Sequence, residues 1–409
     1  MALLTTNSWL FGALFGKSSF YKSQSIQLGM KGPVYIDTEK PYDLYHSIPQ
    51  LRTIIGKKKS MFANVVPILK DKNGNVINNA RSGEFYKLIY SPNVTQGLNA
   101  FLENQLEQLD VYGNQFTYKN KPSTLTSFPV ALWNISPRYM QPVVTGKVFE
   151  QVDINEIIKN YKYIEDSSVK TYGTNEIMYV KHTDLDNPIV GCSPLKYLKH
   201  PLSNIEGAYK FRNTIINEKG ALGILSNNSK DSMGGVPMKT GEKERIEKQH
   251  RTSYGNNDDQ MKMLITEASL TWTPMSYPTK DLLLFEEVEA DTSILIDHFG
   301  MNINLFGSKG ATFENVKESI KQVYSDTIQP YADSYFQQLA SFLNIELIFG
   351  KGAFIEPSYE HIKILQEDKN ESADLFKMHV ESITQLVING IISIDQGKKL
   401  LTDISGIKL

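Results

Sequence analysis

The chain of 409 residues carries 43 Lys+Arg against 45 Asp+Glu, a formal net charge of −2, with 41% hydrophobic residues. At about 100–200 residues per domain the length makes two to four domains, and the apolar content excludes wholesale disorder. The near-neutral balance speaks against a free duplex-DNA binder, whose binding face carries a basic excess. One cysteine, Cys192, excludes an intramolecular disulfide and any four-cysteine or Cys₂His₂ metal site, and it fits a reducing compartment. Ala2–Gly16 is interrupted by Thr5, Thr6, Asn7 and Ser8 and lacks a basic lead-in, so it reads as a poor signal peptide. No run approaches the roughly 18 apolar residues of a membrane span. The expectation is a soluble, multidomain protein made inside the cell.

In chain order, Val65–Lys70 and Val76–Ile77 flank Asn73-Gly74, which predicts a hairpin with a type I′ turn. Phe85–Tyr90 reads as a strand ending at Ser91-Pro92-Asn93. Leu98, Leu102, Leu106 and Leu109 predict a helix over Thr95–Leu109, and Gly113-Asn114 turns the chain into a strand at Gln115–Lys119. Short strands and Pro- or Gly-bearing turns alternate from 120 to 190. Ser193-Pro194 reads as an N-cap with a first-turn proline. Ser203 and Glu206 then form a capping box for a helix ending near Lys219 and Gly220. Glu242–Arg251 reads as a short, charged helix whose only clear aliphatic residue is Ile246, so it cannot stabilise itself by burial alone. Two strands, Lys262–Thr266 and Leu270–Thr273, complete what reads as a small insertion between two helices. The second helix, from Pro278 to about Phe299, is acidic: Asp281, Glu286, Glu287, Glu289, Asp291 and Asp297 stand against Lys280. A Gly-bearing loop, Gly300–Gly310, follows. The longest helical pattern starts near Phe313 and reaches Phe342, with Pro330 predicting a kink. The C-terminal part is helical, with Asn389-Gly390 ending one helix and Asp395 capping another.

Chemistry is sparse. Gly12 to Ser18 resembles a phosphate loop but has three residues between its glycines where four are needed, and it reads as coincidence. Asp184, Asp186 and Asn187 before Pro188 offer oxygen ligands, but a polar turn explains them as well. The histidines show no tight pairing; His298 reads as a packed or interface residue and Cys192 as structural. Lys57-Lys58-Lys59 reads as a solvated patch, with a phosphate contact as the sharper alternative. The acidic stripe Glu286–Asp291 is either a solvated face or the wall of a conduit that repels phosphates. No catalytic residue, metal set or cofactor emerges.

Several of these segments together resemble one family. Ser91-Pro92-Asn93 before a helix and then Gly113-Asn114 resemble a "P-N … G-N" pattern; Gly191-Cys192-Ser193-Pro194-Leu195 resembles "G-x-S-P-L". Leu270–Ser276, Asp281-Leu282 and Ile296-Asp297-His298-Phe299-Gly300 follow, then Thr312-Phe313-Glu314-Asn315 and Ile328-Gln329-Pro330, and finally Ser372–Asp395. Their order and spacing resemble the tailed-bacteriophage portal proteins of the HK97-like branch. The family's double proline and Leu-Leu-Gly after its F-G-V become Met301 to Gly307 here.

The resemblance implies a multidomain α+β portal fold. Residues 1–198 would be the wing, 199–221 the first stem helix, 222–276 a small α/β clip and 277–299 the second stem helix. Residues 300–311 would be the tunnel loop, 312–345 the long kinked wing helix, and 346–409 the C-terminal helical crown region. It implies a DNA channel at the unique capsid vertex for packaging and ejection, a dodecameric ring of copies of the chain, and no catalysis. The implied partners are the terminase large subunit, major capsid protein or scaffold, a head–tail adaptor, and double-stranded DNA passing without sequence specificity. No membrane partner is implied, and assembly would occur in the bacterial cytoplasm. Asn302, Asn304, Ser308 and Lys309 would line the tunnel, Glu286, Glu287, Glu289 and Asp291 the acidic stem, and Lys239, Lys243 and Arg245 would serve clip docking. The alternative is another ring-forming connector or virion structural protein.

Overall fold

The structure is a computed structural model. It describes residues 32–34, 36–122, 127–146, 154–185, 187–213, 223–227, 230–231, 234–235, 241, 244–245, 248, 270–274, 284–307, 311–389, 393 and 396. The P-loop-like stretch, most of the predicted 242–251 helix and the predicted 262–266 strand lie outside these residues.

Strand β1 (Gly32–Pro33) leads into α1 (Glu39–Ser47) and α2 (Pro49–Ala63), then β2 (Val66–Lys70). Helices α3 (Ala80–Tyr90) and α4 (Leu98–Tyr112) are followed by strands β3 (Asn114–Asn120), β4 (Ala131–Ile135) and β5 (Met140–Val144). A single turn, α5 (Ile154–Ile157), precedes β6 (Ile158–Glu165), β7 (Ser168–Tyr172) and β8 (Ile177–Lys181). Two antiparallel sheets result, in orders β1-β5-β6-β7 and β4-β3-β8. A small core of Val34, Phe116, Met140, Ile158, Tyr161 and Ile177 links them. The larger core gathers α2, α4 and the later helices around Leu51, Phe62, Leu106, Phe299 and Tyr335.

The run Phe85–Tyr90 is helical, not a strand. Asn79 accepts from the Ser82 backbone N–H at 2.9 Å while Ser82 Oγ accepts from the Asn79 N–H at 2.9 Å. This cap starts α3 six residues before Phe85, and Phe85, Leu88 and Ile89 then fall on one buried face. The Asn73-Gly74 turn is also not type I′. Gly74 has φ +83°, but Asn73 is not left-handed. Asp71 Oδ1 accepts from the N–H groups of Asn73 and Asn75 at 2.8 and 2.9 Å, which favours a type I turn closed by a left-handed glycine. The hairpin is short: Asp71 N–H bonds to Asn75 O and Ile77 N–H to Leu69 O, each at 2.9 Å, around one bridge, Lys70 to Val76, and the other edge of β2 pairs with β13 (Phe354–Ser358).

Ser193 caps a short 3₁₀ turn, Pro194–Lys196. Helix α6 then spans Lys199–Asn213, so Ser203 and Glu206 lie inside it and form no cap. Pro201 is tolerated because it sits in the first turn, where its missing N–H has no intrahelical acceptor to lose. Glu206 pairs with Lys210 at 2.6 Å instead. In the insertion, β9 (Gly223–Asn227) pairs antiparallel with β12 (Leu270–Pro274), and β10 (Lys230–Asp231) with β11 (Gly234–Gly235). Helix α7 (Leu284–His298) packs on α6 and α2.

The long helical stretch is α8 (Phe313–Val323), a π turn (Tyr324–Ile328) and α9 (Gln329–Phe342). The Gln329 N–H reaches Tyr324 O, a five-residue step. The π turn places Pro330 in the first turn of α9, so the interruption takes the form of one extra residue ahead of the proline. Helix α10 (Ile345–Phe349), β13 and α11 (Lys363–Ile388) close the described chain. Asn389 ends α11; Asp395 lies outside the described residues, while Ser393 Oγ accepts from the Gln396 N–H at 3.3 Å.

Candidate functional site

The segments that carry the family resemblance are locks between elements. Gly113 ends α4 with φ +69°, and a Cβ there would fall 1.9 Å from the Cys192 carbonyl oxygen. The facing Gly191 has the same constraint: its Cβ would meet Gly113 O at 2.1 Å. Between them, fully buried Asn114 donates to Tyr112 O and Gly191 O at 2.8 Å and accepts from Gly191 N–H at 2.8 Å and from Tyr179 OH at 2.6 Å. Ser193 Oγ donates to Val111 O at 2.6 Å. The two motifs, 77 residues apart, thus form one backbone crossing next to the start of α6. Cys192 is buried there and burial raises its thiol pKa, which fits a packed residue and not a nucleophile. Asn93 plays the same part upstream, donating to Leu132 O at 3.0 Å and accepting from the Thr95 N–H at 2.9 Å.

Helix α7 buries Leu295, Ile296 and Phe299 just past its end, with Val288 half-buried two turns before Leu295 on the same side. Glu286, Glu287, Glu289 and Asp297 are exposed and Asp291 is half-buried. At about 100° per residue, Glu286 and Asp297 share the outermost line while Glu287 and Glu289 flank it on opposite sides. The acids therefore dominate the solvent-facing side of α7, where Ala290 and Ile294 are also exposed and no lysine or arginine occurs. Helix α6 beside it carries Lys199, Lys210 and Arg212 against Glu206.

The loop after α7 is held down. Gly300 has φ +65° and ends the helix: Gly300 N–H bonds to Asp297 O and Met301 N–H to Ile296 O, each at 3.0 Å. This double bond pattern brings buried Met301 onto buried Ile296. Thr327 Oγ1 donates to Gly300 O at 2.7 Å. Asn302 caps the turn Ile303–Phe306 and donates to Gln322 Oε1 at 3.2 Å; Asn304 donates to Ser319 Oγ at 3.1 Å. Both asparagines thus tie the loop to α8. Ser308 and Lys309, and Lys239 and Lys243 in the insertion, lie outside the described residues. Arg245 is helical and exposed.

At the inner end of α7 sits a charge cluster that the sequence reading missed. Lys58 reaches Asp110 Oδ1 at 3.0 Å, with the Asp110 side chain only 2% exposed. Lys59 pairs with Glu107 at 2.6 Å. The lysine run is therefore mostly tied to α4 and is not a solvated patch; only Lys57 is fully exposed. His182 Nε2 lies 3.9 Å from Asp110 Oδ1, and Lys58 stands 5.6 Å over the Phe299 ring. Burial pushes the Asp110 carboxyl up, but Lys58 and His182 outweigh it and hold the pKa below the usual range. Burial, then the Lys58 and His182 charges, push His298 below its ordinary value against the pull of Asp110. The signal available was Asp110 itself, a lone carboxylate in the apolar run Leu109–Tyr112.

Asn187 Oδ1 accepts from the N–H groups of Ile189 and Val190 at 2.9 and 3.0 Å, a polar turn. Among the described residues no group of three or more His, Cys, Asp or Glu is placed to hold a metal ion, and no helix is long and apolar enough to cross a membrane.

The class these features define is a mixed α+β protein with an acidic helix between a small β insertion and a loop pinned to a long interrupted helix. The phage portal protein family model matches residues 61–401, and the chain belongs to that family. Its role is that of a portal channel subunit at the capsid vertex, a component of the virion. A chain from the neck of the native GTA particle computed with C12 symmetry superposes with a TM-score of 0.59 at 19% identity, covering 91% of this chain and 96% of that one. A chain from the virion of the native gene transfer agent particle gives 0.58 at 18% identity, covering 90% and 94%. An HK97 family phage portal protein from Corynebacterium diphtheriae gives 0.49 at 10% identity, covering 80% and 96%. No curated protein sequence matches the chain.

Proposed function

We propose that copies of this chain close into a dodecameric ring of the HK97-like portal type, in which the acidic half of α7 faces a central DNA channel. The family match over 61–401 carries this reading, and the C12 symmetry of the gene transfer agent neck supports the subunit number. Residues 1–198 with part of 312–345 form the wing, α6 and α7 the stem, 222–276 the clip and 346–409 the crown side. Carboxylates along the wall repel phosphates, so DNA slides without adhering. The loop 300–311 borders the constriction, where Ser308 and Lys309 are the groups left to meet DNA, since Asn302 and Asn304 are spent on α8. The clip, with Lys239, Lys243 and Arg245, docks the terminase large subunit during packaging and a head–tail adaptor afterwards. The ring sits among major capsid protein subunits, is assembled in the host cytoplasm, and does no catalysis of its own.

The test replaces Glu286, Glu287 and Glu289 together by lysine. These exposed side chains carry no core contact, so rings should still form. DNA packaging in an infection or assembly assay should fall at least about tenfold as phosphates adhere to the wall. Packaging at the normal level in intact rings contradicts the channel-facing assignment.

A further inference from the structure

A groove of about 870 Å³ opens between α9, α10 and β13, away from the acidic stem. Asp333, Gln337 and Ser341 recur every four residues along α9 and form one exposed wall. Across from it Leu347 is 85% exposed and Phe354 40% exposed, so two large apolar side chains stand in water on one concave surface. The edge of β13 is part of this groove. One edge of β13 pairs with β2, and no strand pairs with the other among the described residues. Leu69 on β2 spends its N–H on Tyr86 OH at 3.1 Å and its carbonyl on the Ile77 N–H at 2.9 Å, both away from β13. Its cross-strand partner Ile355 therefore turns its own N–H and C=O toward the open edge. The groove thus offers one strand-pairing N–H and C=O pair, at Ile355, beside apolar side chains; Pro357 at the next edge position can only accept. Its rim is mildly acidic: Asp333 and Glu346 stand against Lys351, while Glu356 is paired with Lys70.

We propose that this groove receives the first 31 residues of the chain as an added extended segment. Those residues include Trp9, Phe11, Leu14 and Phe15 among small and polar neighbours, carry Lys17, Lys22 and Lys31, and contain no Asp or Glu. That composition complements an apolar cleft with a mildly acidic rim and a free strand edge. Thirty-one residues extended span on the order of 100 Å, so reach to a groove on the same or a neighbouring copy is not limiting.

The sole native thiol, Cys192, is buried, so introduced cysteines report alone. The full chain carrying Trp9→Cys, or Leu14→Cys, with Leu347→Cys should cross-link on mild oxidation, within one chain or between two. The same residues paired with Val94→Cys, whose position is 94% exposed and does not line the groove, should not. Adding Asp333→Lys and Glu346→Lys should lower the cross-link yield several-fold, while the thermal transition stays within a few degrees. Equal yields at 94 and 347, or no cross-link at 347, overturn the proposal. So does loss of ring formation in Leu347→Asp with the cross-link absent, which would make the groove a subunit contact instead.

Discussion

Asp110 is the residue on which α2, α4 and α7 meet. Its carboxylate is buried and paired with Lys58, so removing one partner leaves a charge stranded in a dry site. Lys58→Met should cost about 3–5 kcal/mol and lower the thermal midpoint by several degrees. A change below about 1 kcal/mol in denaturant titrations would show that the pair is bypassed by solvent. His298 adds a pH dependence. Its folded pKa lies below the usual 6.5, so at lower pH the unfolded chain binds the proton more readily than the folded one. Stability from this group is complete above pH 6.5 and falls as pH drops below it. Asp110 acts at lower pH, its depressed carboxyl losing stability only below the ordinary 3.8. His298→Gln should flatten the slope of the thermal midpoint between pH 7 and 5.5 without moving the acid limb. An unchanged slope would remove His298 from the account. None of this cluster was legible from spacing, because its members lie on separate elements; only the lone carboxylate within Leu109–Tyr112 marked it.

At the scale of elements, helices with clear periodicity and a glycine stop were readable. Helix α4 and its Gly113 end, β3, β12 and α7 lie where their patterns place them. The misreadings share one cause, in which a local side-chain bond outranks composition. The β-rich run Phe85–Tyr90 is helical because Asn79 and Ser82 cap it, and the Asn73-Gly74 turn changes type because Asp71 caps its two N–H groups. Asn79→Ala should therefore cost about 1 kcal/mol, read as a shift of the urea midpoint at unchanged slope. No shift would mean that α3 is held by its buried face alone. Pro330 illustrates the reverse case. A breaker was legible, but the π turn that accommodates it was not, because an inserted residue leaves no mark in a 3-or-4 spacing pattern.

At the scale of the whole molecule, the net charge of −2 conceals a partition. One helix carries five carboxylates and no cation, and the first 31 residues carry three lysines and no carboxylate. The portal motifs were legible as a set, and the structure gives their physical reason: Gly113, Asn114, Gly191 and Ser193 build a crossing that only glycine and buried amide chemistry can fill. Asn302 and Asn304 were legible as loop residues but not as ties to α8, since Ser319 and Gln322 lie a full helix away in sequence. An isolated subunit leaves the acidic face of α7 and the apolar residue Phe313 in water. In the proposed ring the acidic face lines the channel. Electron microscopy of the purified full-length protein tests it most directly: the account predicts closed particles of twelvefold symmetry with a central hole, and a population of compact monomers at assembly concentrations would contradict it.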